Sequence, residues 1–74
     1  MIERVKEILA EQLDLEISDI NDDSDIQDDL EADSLDIMDI MSEIEDEYSI
    51  EVEDEEIESL RTPEKIVEYI NRVK

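Results

Sequence analysis

The chain has 74 residues, 27 of them acidic and 6 basic, for a formal net charge of −21. That length allows one domain with one small core. The sequence holds no Cys and no His, which excludes thiolate zinc modules, thiol redox chemistry and Cys–His or Ser–His nucleophilic catalysis. Phosphate backbones are bound through Lys and Arg, so a field this negative also excludes nucleic acid as a partner.

The charge is unevenly spread. No positive side chain stands between Lys6 and Arg61, and all the acids except Glu3, Glu64 and Glu68 lie in that interval. Such a run raises the question of disorder. Ile, Leu and Val nevertheless supply 22 of the 74 residues, above the roughly 20% below which a chain stays unfolded. These residues recur with helical spacing, so the expectation is a folded, self-repelling domain. No apolar run is long enough to span a bilayer and no signal core follows Met1. A cytoplasmic monomer with no membrane insertion is expected.

In the first segment Ile2, Val5, Ile8, Leu9 and Leu13 recur at helical intervals, with Glu3–Lys6 and Arg4–Glu7 as neighbours on the outer face. Residues 14–33 form a long connection rich in Asp, Asn and Ser, with apolar pins at Leu15, Ile17, Ile20, Ile26 and Leu30. Within it, Ser24 and Gln27 have the spacing of a capping box. A connection of this length has either a function or a folded patch of its own. The Asp19-x-Asn21-x-Asp23 string opens like a calcium loop but has Ser24 at the sixth place and Leu30 at the twelfth, so no specific metal site is read.

The second helix is expected from Ser34 or Leu35 to Tyr48, capped by Asp33 or Ser34. A short third helix is expected over 54–60, with Ile57 and Leu60 inward. Thr62-Pro63 is an N-cap followed by Pro at the first helical position. In the fourth helix Ile66, Val67, Ile70 and Val73 form the buried stripe, with Glu68–Arg72 as an outer pair. No strand pattern is convincing. The chain has no Gly, so turns that need positive φ are assigned to Asn or Asp. The fold class is all-α: a small four-helix bundle with a long first loop and a short third helix.

The second helix carries the functional information. At roughly 100° per residue from Leu35, Ile37, Ile40, Met41, Ile44 and Tyr48 fall between about 140° and 240°, one buried stripe. Asp39, Ser42 and Asp46 lie within about 40° of Leu35, and Met38 stands near 300°. The outer face is thus a strip of acids with two apolar side chains set in it. Leu35 and Met38 read either as isolated exposed residues or as the apolar grip of a docking surface for a basic partner. Ser34 reads either as a plain N-cap or as an exposed hydroxyl open to covalent modification. With no His to serve as base, a catalytic nucleophile is a poor reading.

The string Asp33-Ser34-Leu35-Asp36 at the head of an acidic amphipathic helix resembles the attachment motif of acyl carrier proteins, in particular the free-standing carriers of bacterial-type fatty acid synthesis. The likeness extends over most of the chain. It includes Ile2-Glu3-Arg4-Val5-Lys6, Glu11-Gln12-Leu13, Leu30, Ala32, Glu45, Glu47, Asp54-Glu55 and Tyr69-Ile70-Asn71. The resemblance implies a single acyl-carrier domain over 1–74, with no enzymatic activity. It implies 4′-phosphopantetheine esterified to Ser34, transferred from coenzyme A with Mg²⁺ by a phosphopantetheinyl transferase. The partners implied are fatty acid synthesis enzymes with basic docking patches. Asp33, Leu35, Asp36, Met38, Asp39, Glu45 and Asp46 would be recognition residues; Ile44, Val52, Ile57, Leu60, Ile66 and Tyr69 would border the acyl-chain cavity. Departures from the pattern are Glu31 and Asp14 in place of Gly, Ser42 in place of an exposed Met, Glu53 in place of Pro, and Tyr48 in place of Phe. A carrier for a polyketide or other specialised acyl pathway, or an unmodified acidic helical binding module, is the alternative.

Overall fold

The computed structural model describes residues 1–74. Four helices carry the fold: α1 Ile2–Leu13, α2 Ser34–Tyr48, α3 Asp54–Ile57 and α4 Pro63–Val73. A 3-10 turn at Ile17–Asp19 interrupts the first connection, and there are no strands. Helix α1 packs against both α2 and α4, placing Val5, Ile8 and Leu9 in the centre of the core. Its head meets the tail of α2, where Arg4 bonds Glu47 at 3.0 Å and the Tyr48 hydroxyl donates to the Met1 carbonyl at 3.3 Å. The two helices therefore run antiparallel. The hydroxyl that Tyr48 adds relative to Phe thus has a partner, and burial pushes its pKa up.

The long connection is a folded patch. Ile20, Ile26 and Ala32 are buried in the main core, whereas Ile17 is left 41% exposed. The Ser24–Gln27 capping box does not form. The buried Ser24 hydroxyl accepts from the Asn21 N–H at 2.9 Å, and Asp25 caps the turn instead. Its Oδ1 accepts from the N–H groups of Gln27 and Asp28 at 2.9 and 2.8 Å. Its Oδ2 accepts from Arg61 Nε at 3.1 Å, and a second guanidinium nitrogen reaches Oδ1 at 3.2 Å. The Asp25 carbonyl takes the N–H groups of Asp29 and Leu30, while the Ile26 N–H donates to the Arg61 carbonyl at 2.7 Å. An aspartate outperforms the serine here because its two oxygens serve the turn and the cation together. Lys6 pairs with Asp22, rather than with Glu3, and ties the same connection to α1.

Helix α3 is one turn, shorter than the spacing suggests. The Ser59 hydroxyl donates to the Glu56 carbonyl at 2.8 Å, offering that group a local alternative to a continued helix. The following residues close as a tighter turn, with Leu60 buried and Ile57 half-buried. In α4 the Thr62 hydroxyl oxygen caps the Lys65 N–H at 3.1 Å, with Pro63 at the first position. Its inward residues are Ile66, Tyr69 and Ile70; Val67 is half-buried and Val73 is exposed on the last turn. The Glu68–Arg72 pair does not form. Arg72 lies over the Tyr69 ring at 5.3 Å and reaches Glu56 on α3 at 3.5 Å, combining a cation–π contact with a tie between elements.

Three residues hold positive φ: Asp14 at 57°, Glu31 at 58° and Ser49 at 54°. Asp14 and Ser49 end α1 and α2 in the left-handed conformation. The expectation that only Asn or Asp would fill such positions fails for Glu31 and Ser49. Local backbone bonds hold them there, from the Ile50 N–H to the Glu45 carbonyl at the end of α2 and from the Leu30 and Ala32 N–H groups to the Asp25 and Ile26 carbonyls on either side of Glu31, against a left-handed cost of about 1–2 kcal/mol for a residue with a Cβ. Glu53, where the family pattern has Pro, sits at φ −68°, the value that Pro would fix.

Glu31→Gly is therefore expected to stabilise the fold by about 1 kcal/mol, raising Tm by roughly 4–8 °C in a domain of this size; a thermal melt checks this, and an unchanged or lower Tm contradicts it. A second expectation concerns acid. The hydrogen bond from the Asp28 N–H and the Arg61 guanidinium hold Asp25 below the usual carboxylate range. Because its folded pKa is depressed, its contribution is complete above the unfolded value near pH 4, roughly, and is lost as pH falls through the lower folded value. The Tm deficit of Asp25→Asn should be largest at neutral pH and shrink on acidification below about pH 4. A deficit independent of pH would count against this role.

Candidate functional site

The head of α2 is built by two carboxylates. Asp33 is the N-cap: its Oδ1 accepts from the Asp36 N–H at 2.9 Å, and Asp36 Oδ2 accepts from the Asp33 N–H at 3.3 Å. This reciprocal box satisfies two donors at the helix start. Ser34 occupies the first helical position, exposed. Since Asp33 holds the cap, the plain N-cap reading of Ser34 is removed, and its hydroxyl has no hydrogen-bond partner within the chain.

The approach to this serine is fixed from behind. Ala32 is buried, and its N–H donates to the Ile26 carbonyl at 3.0 Å. Glu31 supplies the left-handed bend before it. Because Ile26 also donates to Arg61, the hydroxyl is positioned through a short chain of contacts from the α3–α4 junction.

Beside Ser34 lies a crevice of about 250 Å³ between α2 and α3, lined by Ile37, Met38, Ile57, Gln27 and Glu58. Of the six residues assigned to a cavity, Ile57 alone lines it. Ile44 and Ile66 are fully buried core side chains. Leu60 and Tyr69 border a separate groove of about 200 Å³ on α4, and Val52 lies at an acidic depression formed by residues 51–55. The Tyr69 hydroxyl donates to the Glu51 carbonyl at 3.2 Å. Ile37, Gln27 and Glu58 are lining residues that the sequence reading missed. The position of Ile37 at the edge of the apolar stripe was the available signal; Gln27 and Glu58 reach the crevice only through folding of the connection and of α3.

The outward face of α2 matches the helical wheel. Leu35 is 72% and Met38 61% exposed, with Asp33, Asp39 and Asp46 exposed around them. None of these carboxylates is in an ion pair, because the nearest guanidinium tie on α2 goes to Glu47. Asp36 and Glu45 also have structural tasks. Asp36 closes the cap, and Glu45 Oε2 accepts from the Val52 N–H at 2.8 Å, which ties the end of α2 to the segment before α3.

The nearby carboxylates of Asp33 and Asp36 are engaged in the cap, and Glu58 lines the crevice without bonding the serine, so the arrangement offers an acceptor hydroxyl rather than an activated one. It fits a phosphopantetheine ester. The hydroxyl is free and exposed, and the adjoining crevice has an apolar wall in Ile37, Met38 and Ile57.

Comparison with known proteins agrees. Residues 3–70 match the family described as phosphopantetheine attachment site. Among solved structures, an acyl carrier protein from Enterococcus faecalis superimposes with a TM-score of 0.84 at 34% identity, covering 99% of this chain and 92% of that one. No helix is long and apolar enough to cross a membrane. By its family match, its fold and its site, the chain belongs to the phosphopantetheine-bearing acyl carrier proteins, which carry substrates and are not enzymes.

Proposed function

We propose that Ser34 is the attachment point and that the protein carries growing fatty acyl chains for a cytoplasmic fatty acid synthesis system. The observation that supports this most directly is the unengaged Ser34 hydroxyl, held at the first position of α2 by a cap that does not use it. A phosphopantetheinyl transferase would join that oxygen to the phosphate of phosphopantetheine, breaking the pyrophosphate bond of coenzyme A and releasing adenosine 3′,5′-bisphosphate and the serine proton. The bound arm supplies the thiol, absent from this sequence, on which acyl groups are held as thioesters.

The chain's own residues then divide into two sets. Asp33, Leu35, Asp36, Met38, Asp39, Glu45 and Asp46 form the recognition surface, where carboxylates steer basic enzymes and Leu35 and Met38 supply short-range contact. Asp36 and Glu45 contribute to it while also fixing the backbone. Ile57 opens on the crevice beside Ser34. Ile44, Val52, Leu60, Ile66 and Tyr69 belong to the buried apolar core, the interior toward which an acyl chain would move. The protein acts as a monomer, since two copies at this net charge repel one another.

Incubation of the apo protein with coenzyme A, Mg²⁺ and a carrier-protein transferase should add one phosphopantetheine by intact mass. Ser34→Ala should add none, while keeping the wild-type Tm because the hydroxyl makes no internal bond. Wild type without the added mass, or Ser34→Ala gaining as much as wild type, overturns the assignment.

A further inference from the structure

The largest depression on the surface is away from Ser34. It is shallow and open to solvent, runs along the end of α1 into the 3-10 turn over about 630 Å³, and shares no lining residue with the crevice on α2. Its apolar part is Ala10, Leu15 and Ile17, and Glu11, Asp14 and Glu16 stand around it. None of these three carboxylates is in an ion pair; a fourth lining acid, Glu7, is shared with Arg4.

Ile17 is the unusual member. It is 41% exposed although the turn that bears it is well anchored. The Asp19 N–H donates to the Glu16 carbonyl and the Ile20 N–H to the Ile17 carbonyl, both at 3.0 Å. Ile20, three residues on, is buried in the main core. The Leu15 N–H donates to the Ala10 carbonyl at 2.9 Å, fixing the turn to α1. An aliphatic side chain is thus held out toward solvent on a rigid support, inside a ring of unneutralised acids.

We infer that this groove is a second docking surface, for a cationic amphipathic helix of a partner protein. The charge decides the occupant. A second copy of this chain, an anionic lipid surface and a nucleic acid would each bring like charge to the rim. A helix with Lys or Arg flanking an aliphatic stripe answers both features, placing apolar side chains on Leu15 and Ile17 and cations on Glu11, Asp14 and Glu16. The surface is separate from the α2 face, so a partner here leaves Ser34 accessible. This goes beyond the carrier reading and does not depend on modification of Ser34.

The test uses the full unmodified chain, labelled with ¹⁵N, titrated with a short capped amphipathic helical peptide of Leu and Lys. Amide shifts should move at Glu11, Leu15 and Ile17. Ile17→Ser, which keeps every charge and alters an exposed position, should weaken binding read at those amides by about tenfold. Leu35→Ser, on the α2 face, should leave that affinity unchanged. Three results overturn the inference: Ile17→Ser binding as tightly as wild type, Leu35→Ser weakening the α1 response to the same degree, or shifts absent from the α1 groove.

Discussion

The carboxylate of Asp25, held between two backbone N–H groups and the guanidinium of Arg61, closes the long connection onto the α3–α4 junction. The rest of the site depends on it. Ile26, next in sequence, is thereby buried and bonded to Arg61 through its N–H and to Ala32 through its carbonyl. Ala32 in turn sets the direction of the chain into Asp33 and Ser34. A polar contact midway along the connection thus bears on where a hydroxyl on the next helix stands.

The same contact illustrates how scarce cations are placed. Of the six basic residues, Arg4, Lys6, Arg61 and Arg72 each join a helix or helix junction to a different element. Asp25 is also held by two backbone N–H groups, whereas exposed pairs such as Arg4–Glu47 and Arg72–Glu56 contribute little individually. Their placement matters because 27 acids on so small a body otherwise push its elements apart. With four of the six cations committed to these ties, the outward acids of α2 and Glu11, Asp14 and Glu16 beside Ile17 remain without an ion pair. Two negative surfaces follow from one constraint, each with an aliphatic side chain at its centre.

The helices were legible in the sequence wherever apolar spacing and capping residues agreed. α2 reads correctly from the wheel because Leu35 and Met38 break the stripe on the side that proves exposed. Thr62-Pro63 marks the start of α4 unambiguously. The likeness to the carrier family pointed to Ser34, and the structure then separated it from the cap. What stayed hidden depended on contacts distant in sequence. Asp25 was unremarkable among its acidic neighbours until Arg61, far along the chain, was brought to it. The cost carried by Glu31 was invisible because a positive φ leaves no mark on composition. Arg72 chose the Tyr69 ring and Glu56 over Glu68 because α3 packs within reach. Gln27 and Glu58 joined the crevice for the same kind of reason.

The central claim is that this fold exists to present one serine, bearing an acyl-loaded arm, on an acidic face. The most direct measurement is intact-mass analysis of the protein purified from its native host, followed by peptide mapping of the modified residue. The account predicts a phosphopantetheine on Ser34, in part extended by fatty acyl groups. Protein recovered with Ser34 unmodified, or with the arm on another residue, would contradict it.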